Sequence, residues 1–396
     1  MDKTKFLCIL LLLTTVNLVA QSEKEVYKFS YDIETAIEKD TVPWKYQTGA
    51  AEYSFIGNYR KTLETWDRGG VGIPKLSKED SLYFYNFTPI NAKDYIIERS
   101  KNEQIIIINE AHINPSHRVF TLSLLQGLYN NGYRYLGLEA LIDDTIINER
   151  KYPIMESGYY TKEPQFGNLI YTAIKIGFTL FGYEATENEN GKEREIVQAE
   201  NIANFLVKHP SGKMLIHCGH DHVIKGTPNN RSWEKAMAGR LKDYTEINPF
   251  TIEQTQYTEK SERKYNQPYI SMVNKDFPVV LINKDENLFN GEKGNDQVDC
   301  KIIHPETYYI NGRPNWLFSK GKRKAYYIEK SKIAQYPLLV LAYRKGEFDN
   351  NGVPADVIEV IENENIPPLI LDKGEYEIIV KDSNYNIINR YDIKLE

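Results

Sequence analysis

The segment Gln104–His112, QIIIINEAH, leads from a run of isoleucines directly into a glutamate and a histidine. Its apolar part predicts a short strand over Gln104–Ile108. The amphipathic stretch Ser116–Asn130 then predicts a helix, and the apolar Tyr135–Leu138 predicts a second strand. A strand, a helix and another strand in this order are typical of a βαβ unit in a parallel sheet.

The same alternation continues for about 150 residues along the chain. Further strands are predicted at Thr179–Phe181, Lys213–Ile216, Thr251–Gln256 and Pro278–Ile282. Further helices are predicted within Gln165–Ile176 and over Glu193–Val207. The fold class that follows is α/β, with a mainly parallel sheet flanked by helices.

Two other regions flank this α/β domain, which is predicted to cover residues 98–320. Residues 21–97 are predicted to form a helical or mixed segment that packs on the core, with one helix over Ala50–Trp66. Residues 321–396 alternate between apolar and polar positions, with turn residues between the segments, which predicts a small all-β sandwich. Its strands are expected at Leu338–Tyr343, Val357–Ile361, Tyr376–Val380 and Ile387–Ile393.

Residues 1–20 have the order of residues typical of a secretory signal peptide. Two lysines precede the apolar run Phe6–Leu13, which is too short to span a bilayer, and the segment ends in small residues at Ala20. We therefore expect cleavage near Ala20 and export to a periplasmic or extracellular compartment. Such a compartment permits Cys218 and Cys300 to form a disulfide.

The composition narrows the function further. With 41% hydrophobic and 26% charged residues, the 396-residue chain is neither disordered nor a coiled coil. A net charge of -6 without basic blocks argues against a nucleic acid as the partner. No later segment is long enough for membrane insertion. The expected partner is a small-molecule or peptide substrate.

Ionisable side chains follow four successive predicted strands. In parallel α/β sheets, ligands bind in the crevice at the carboxyl ends of the strands, because the loops converge there. The sequence therefore predicts that these side chains share one site. In chain order they are Glu110 and His112, then Glu139, then Glu184, and finally His217, His220 and His222.

Two of these groups place side chains at a spacing of two residues. Glu110 and His112 point to the same side of an extended chain. They suit a general base with a carboxylate that orients it, and equally a pair of metal ligands. His220 and His222 repeat this spacing and suit a divalent metal, an anion or a carbonyl oxygen. A polar surface loop is the structural alternative for Glu110 and His112. For His217, His220 and His222 the alternative is one core histidine and two exposed ones.

Arg118 and Arg194 are the cations predicted closest to these groups, since each lies early in a helix next to one of the strand ends. A guanidinium in such a crevice can clamp a carboxylate or a developing oxyanion, whereas a surface ion pair contributes little. The sequence contains no GxSxG, P-loop, HExxH or paired CxxC motif, which argues against several common hydrolase and ATPase classes.

Several ordered motifs resemble a known superfamily. They are Ile105–Phe120 (IIIINEAHINPSHRVF), Gly132–Glu139 (GYRYLGLE), Arg194–Asn201, Met214–Val223 (MLIHCGHDHV) and Met237–Leu241. Together they resemble the erythromycin esterase-like, ChaN-like and TraB/Tiki proteins, in which a strand ends in GExH or GExxH and a second strand ends in a glutamate. A later helix that begins with an arginine leads to a strand with histidines. The resemblance covers about residues 100–260.

The resemblance implies which residues line the site. One position differs, because Asn109 stands where the superfamily usually has the glycine of GExH. The implied residues are Glu110, His112, Arg118, Glu139, Arg194, His220 and His222. Members of the superfamily hydrolyse esters, cleave proteins with a metal or bind haem, so the resemblance names no substrate.

Three functional hypotheses follow. In the first, an exported hydrolase cleaves an ester or amide bond, with His112 as general base tuned by Glu110 or Glu139. His220 or His222, together with an arginine, would stabilise the oxyanion. In a variant, a divalent transition metal is held by Glu110, His112, His220 and His222. The alternative is a haem- or ligand-binding exported protein without enzymatic activity.

Overall fold

The computed structural model describes residues 25–142, 144–185, 189–229, 231–291, 297–333, 335–362 and 366–396. The predicted signal peptide and its cleavage near Ala20 lie outside these residues. The described chain forms two compact units, which are residues 70–308 and a second unit in which residues 25–69 join residues 309–396. No described helix is both long and apolar enough to cross a bilayer.

The helices are numbered in chain order. They are α1 Ser30–Lys39, α2 Lys45–Phe55, α3 Tyr59–Arg68, α4 Lys78–Phe84, α5 Ala92–Arg99, α6 Pro115–Asn130, α7 Ile147–Arg150, α8 Pro164–Ile176, α9 Gly191–Lys208, α10 Met237–Thr245 and α11 Pro268–Val273. The strands of the unit 70–308 are β1 Phe87–Asn91, β2 Ile105–Glu110, β3 Tyr133–Leu138, β4 Thr179–Gly182, β5 Lys213–Gly219, β6 Phe250–Tyr257, β7 Val279–Asn283 and β8 Cys300–Ile303.

These eight strands form one sheet in the order β1-β7-β8-β6-β2-β5-β3-β4. All pairings from β8 to β4 are parallel, whereas β7 is antiparallel to both β1 and β8. The predicted fold class is thereby confirmed for this unit. The domain boundary predicted at residue 98 falls inside the unit, because β1 pairs with β7 and so belongs to the main sheet.

The four isoleucines of β2 show why the sheet is buried on both faces. Ile106 and Ile108 join a core with apolar residues of α6 and α8, whereas Ile105 and Ile107 join one with residues of α9 and α10. Successive side chains of a strand point to opposite faces, so a continuous apolar run requires helices on both sides of the sheet.

The strands and helices predicted between residues 104 and 283 are all present, with ends that differ by at most three residues. Glu110 and His217 lie within their strands and not after them, because β2 continues to Glu110 and β5 to Gly219. Strand β8 was not predicted. Cys218 and Cys300 are buried free thiols, so the possible disulfide between them is not formed.

The unit formed by residues 25–69 and 309–396 contains α1, α2, α3 and the C-terminal strands. The single helix predicted over Ala50–Trp66 is wrong, because α2 ends at Phe55 and α3 begins at Tyr59. Gly57 between them adopts a φ of 70°, which is costly for residues with a side chain. The side chain of Asn58 then caps α3 by accepting a hydrogen bond from the Lys61 N–H.

The C-terminal strands are antiparallel. They are β9 Tyr309–Ile310, β10 Arg313–Pro314, β11 Lys324–Tyr326, β12 Leu338–Arg344, β13 Asp356–Val360, β14 Leu369–Leu371, β15 Gly374–Lys381 and β16 Ile387–Leu395. Four of them form a sheet in the order β13-β12-β15-β16, while β9 pairs with β10 and β11 with β14. The four strands predicted in this region are all present in the four-stranded sheet.

Candidate functional site

The order of the central strands brings the predicted site residues together. Glu110 at the end of β2 lies opposite Gly219 at the end of β5, and Leu138 at the end of β3 lies opposite His217 on β5. These strands are parallel neighbours, so the residues that follow them emerge at the same edge of the sheet.

One group of site residues surrounds a fully buried arginine and is called the Arg118 cluster. Arg118 lies in the first turn of α6 and donates from Nε to Oε2 of Glu110 at 2.6 Å and from Nη2 to Oε1 at 2.7 Å. Its Nη1 donates to Oε2 of Glu163 at 3.0 Å. His112 Nδ1 lies 3.0 Å from Glu110 Oε1, and its ring stacks on Tyr160 with the centroids 4.0 Å apart.

The charges of the Arg118 cluster determine which ring nitrogen of neutral His112 carries the proton. Burial acts to raise the pKa of Glu110, but Arg118 and the hydrogen bond from His112 outweigh it and hold this pKa well below its ordinary value. Glu110 is therefore an ionised acceptor, so the proton of neutral His112 is on Nδ1. Nε2 keeps its lone pair, and no described residue donates a hydrogen bond to it.

A second group surrounds a partly exposed arginine and is called the Arg194 cluster. Arg194, in the first turn of α9, donates from Nη2 to Glu139 Oε1 at 2.6 Å and from Nε to Glu184 Oε1 at 2.9 Å. Its Nη1 lies 3.1 Å from Nε2 of His222. The Nδ1 atom of His222 lies 2.8 and 3.0 Å from the two oxygens of Glu195.

The Arg194 cluster also holds Glu139 ionised. Burial acts to raise the pKa of Glu139, but His222, Arg194 and His112 outweigh it and lower this pKa to about 2. Glu139 and Glu195 overcome the effect of burial on His222 and raise the pKa of its ring. In neutral His222, Nδ1–H donates to Glu195 and Nε2 accepts from Arg194.

Gly219 and His220 connect the two clusters. The Gly219 N–H donates to Glu139 Oε2 at 2.6 Å, and its Cα faces the ring of His112 so closely that a Cβ would lie 2.4 Å from Cε1. His220 follows with a φ of 35°, in the left-handed region that residues with a side chain seldom adopt. Its ring meets the His112 ring edge-on, with the centroids 5.1 Å apart. Backbone strain of this kind is concentrated at functional sites.

Burial keeps the remaining histidines of the site neutral. It lowers the pKa of His217 to about 4, and, together with nearby His112, it lowers the pKa of His220 to about 4 as well. The Nε2 atom of His217 lies 3.6 Å from Glu110 Oε2 and has no hydrogen-bond partner among the described residues.

The structure brings all seven predicted site residues into these two connected clusters. Glu110, His112 and Arg118 lie in the first, whereas Glu139, Arg194 and His222 lie in the second, with His220 between them. The ion pairs of Arg194 are with Glu139 and Glu184, which both follow predicted strands.

Four contributing residues were missed by sequence reasoning. Tyr160 stacks on His112, and Trp233 stacks on His222 with the centroids 4.9 Å apart. Glu163 precedes Pro164, which is a helix-start signal, and it caps α8 by accepting from Phe166 N–H. Glu195 also accepts from the first N–H of α10. Of these four residues, only Glu163 could have been found from the sequence, because the pair Glu163-Pro164 is a local helix-start signal.

The predicted metal ligands do not fit a metal site. No group of three or more His, Cys, Asp or Glu side chains among the described residues is arranged to hold an ion. Arg118 occupies both oxygens of Glu110, and Glu195 and Arg194 occupy both ring nitrogens of His222. The set Glu110, His112, His220 and His222 is therefore not assembled for coordination. The haem-binding alternative stays a prediction.

Comparisons with known proteins find similar solved structures only at low TM-scores. No family profile and no curated protein matches the chain. The type III effector HopBA1 has a TM-score of 0.34 at 9% identity, over 56% of this chain and 98% of that one. RRSP, a MARTX toxin effector domain from Vibrio vulnificus, has a TM-score of 0.31 at 12% identity, over 61% of this chain and 56% of that one. A structure described as bacterial protein toxins has a TM-score of 0.30 at 14% identity, over 51% and 46%.

Proposed function

We propose that this protein hydrolyses an ester or amide bond, with His112 as the general base. The observation that carries the proposal is the bond from His112 Nδ1 to ionised Glu110, which leaves Nε2 unprotonated. The His112 side chain is 20% exposed, so a water molecule and a substrate can reach it. A carboxylate that fixes the tautomer and orientation of a histidine also raises the basicity of its other nitrogen.

The reaction assigns a separate role to each group. Nε2 of His112 removes a proton from water, and the water oxygen bonds to the carbonyl carbon. When the bond to the leaving group breaks, His112 returns the proton to it. His220, kept neutral by burial, can donate a hydrogen bond to the oxyanion, and Arg194 supplies positive charge beside it.

The resemblance to the erythromycin esterase-like, ChaN-like and TraB/Tiki proteins is part of this proposal, as is export from the cell. The strand-end placement of Glu110, His112 and Glu139 supports the resemblance. The proposed substrate is a small molecule or a peptide with an ester or amide bond.

The proposal is tested with a panel of small esters and amides and the variant His112→Ala. The matched control is His209→Ala, because His209 precedes β5, at the opposite end of that strand from the site. We expect His112→Ala to lower kcat/KM by about 10²- to 10⁴-fold, the typical contribution of a general base. His209→Ala should retain wild-type turnover. Equal turnover by His112→Ala and wild type would remove His112 from the mechanism.

A further inference from the structure

Asn109 is buried in β2 between Ile108 and Glu110, and both ends of its side-chain amide are used. Nδ2 donates to the backbone oxygen of His220 at 2.7 Å, and Oδ1 accepts from the backbone N–H of Gln254 at 2.8 Å. The N–H of Gln254 can only donate, so it fixes which end of the amide is oxygen. The NH₂ end must therefore face His220.

The Asn109 side chain adds hydrogen bonds to the strands on both sides of β2, just past their last backbone pairs. The pairing of β2 with β6 ends at Ile108 and Ile252, and its pairing with β5 ends at Glu110 and Gly219. The Asn109 side chain bonds the backbone of Gln254, which lies after Ile252 in β6, and the backbone of His220, which follows the end of β5. It does for these segments what backbone hydrogen bonds do within the sheet.

Gln254 fixes Asn109 from the other side. Its side chain is fully buried, and Nε2 donates to the backbone oxygen of Asn109 at 2.6 Å. Its Oε1 lies 3.0 Å from Nε2 of buried His304, which can donate to it. Asn109 is thus a rigid donor rather than a mobile side chain.

The segment that Asn109 holds contains the strained residue of the site. A left-handed backbone at a residue with a Cβ is strained and persists only where its surroundings impose it. At His220, where φ is 35°, the bond from Asn109 to its carbonyl oxygen fixes the plane of the following peptide. The orientation of this backbone determines where the His220 ring meets His112.

We propose that Asn109 is a positioning residue, which holds the left-handed backbone of His220 and thereby keeps the His220 ring against His112. This inference rests on the proposed function, because it assigns a support to the histidine that would donate to the oxyanion. It concerns a geometric relation that exists without substrate, so the two proposals can be tested separately.

The test uses the full chain with isotope-labelled histidine and the variants Asn109→Ala and Asn109→Asp. Asn109→Ala removes both bonds, whereas Asn109→Asp retains an acceptor for Gln254 N–H but has no donor for His220. The matched control is Asn131→Ala, which removes a bond to the Ile97 carbonyl oxygen that is also 2.7 Å long. Asn131 follows the last residue of α6, at the opposite end of that helix from Arg118.

In wild type and Asn131→Ala, we expect nuclear Overhauser cross-peaks between the ring protons of His112 and His220. Both Asn109 variants should lose these cross-peaks while remaining folded. If the proposed hydrolysis is observed, kcat should fall about tenfold or more with little change in KM. Retention of the cross-peaks in a folded Asn109→Asp variant would overturn the inference.

Two further outcomes keep the test decisive. If neither Asn109 variant folds, hydrogen exchange is measured on the wild-type protein. The Asn109 side-chain amide protons should exchange slowly with solvent, and rapid exchange would overturn the inference. Loss of the cross-peaks in a protein that hydrolyses none of the panel would refute the proposed function and leave the positioning role standing.

Discussion

The Arg118 and Arg194 clusters are built from the same parts. In each, one arginine bridges two glutamates, and a histidine bonds a glutamate through Nδ1 and stacks on an aromatic ring. They differ in burial, because the Arg118 side chain is 0% exposed and the Arg194 side chain is 30% exposed. They differ also in the histidines, because Nε2 accepts from an arginine in His222 but from no described residue in His112.

This difference separates two tasks. The buried guanidinium of Arg118 keeps Glu110 ionised and in place, so that His112 presents a basic Nε2 to the crevice. Arg194 has an edge open to solvent and can meet a substrate carbonyl or carboxylate directly. Within the proposed function, the Arg118 cluster therefore holds the general base, and the Arg194 cluster binds the substrate and its oxyanion.

The largest expected difference is in stability. Arg118→Met leaves buried Glu110 and Glu163 without their cation, which should lower the free energy of unfolding by about 3–5 kcal/mol. Arg194→Met should cost about 1–2 kcal/mol, because solvent reaches that cluster. Arg263→Met is the control, since its side chain is 86% exposed, and it should change stability by less than about 0.5 kcal/mol. Guanidinium unfolding measures all three, and equal costs for the first two would contradict the comparison.

The pH dependence of stability should differ in sign between His217, which faces Glu110 of the Arg118 cluster, and His222 of the Arg194 cluster. The pKa of His217 is lowered to about 4, so between pH 6.5 and 4 the unfolded chain binds more protons at this residue, and stability falls with falling pH. The raised pKa of His222 gives a contribution that is present below pH 6.5 and is lost as the pH rises through the folded-state pKa.

The variants His217→Gln and His222→Gln isolate these contributions. The loss for His217 amounts to roughly 3 kcal/mol over its window, at about 1.4 kcal/mol per pH unit. Subtracting the unfolding free energies of each variant from those of wild type at several pH values should give slopes of opposite sign. Two slopes of the same sign would show that the clusters do not differ in this way.

The contact between the clusters can be broken at Gly219. Its φ of -86° is ordinary for any residue, so Gly219→Ala strains no backbone, but the new Cβ would displace the His112 ring. We expect turnover to fall by about 10²-fold, because a misplaced base loses much of its effect. Gly72→Ala meets no atom within 4 Å and serves as the control. Wild-type turnover in Gly219→Ala would mean that the position of His112 is not critical.

The smallest expected effects come from the stacked rings. Removing either ring with Tyr160→Leu or Trp233→Leu should cost about 1 kcal/mol, or about fivefold in kcat/KM. The loss should appear in kcat for Tyr160→Leu and in KM for Trp233→Leu. Steady-state kinetics on the best substrate of the panel separates the effects on kcat and KM. Losses in the same parameter for both variants would show that the two clusters do not have separate tasks.

The sequence predicts the strands and their polar ends because both depend on local patterns. The isoleucine run of β2 and the acid or imidazole after each strand can be read without knowing the neighbouring strands. The pairing of β1 with β7 cannot be read in this way, since the two strands are about 190 residues apart. The break at Gly57 was missed because the apolar spacing continues across it.

The site shows the same limit. Glu110 and His112 are predicted as a pair because their spacing is local, but the partners of Arg118 and Arg194 come from distant segments. The contacts of the predicted metal ligands could not be predicted for this reason, since nothing near Glu110 in the sequence shows that a guanidinium bonds both of its oxygens. Trp233 reaches His222 from a loop, where no periodic pattern exists.

The most direct test of the account is the tautomer of His112 in solution. Long-range ¹H–¹⁵N correlation spectra distinguish a protonated ring nitrogen from an unprotonated one. In the neutral ring of His112, we expect the proton on Nδ1 and an unprotonated Nε2, and we expect Glu110→Gln to lose this preference. A wild-type spectrum with the proton on Nε2 would contradict the assignment of His112 as the base.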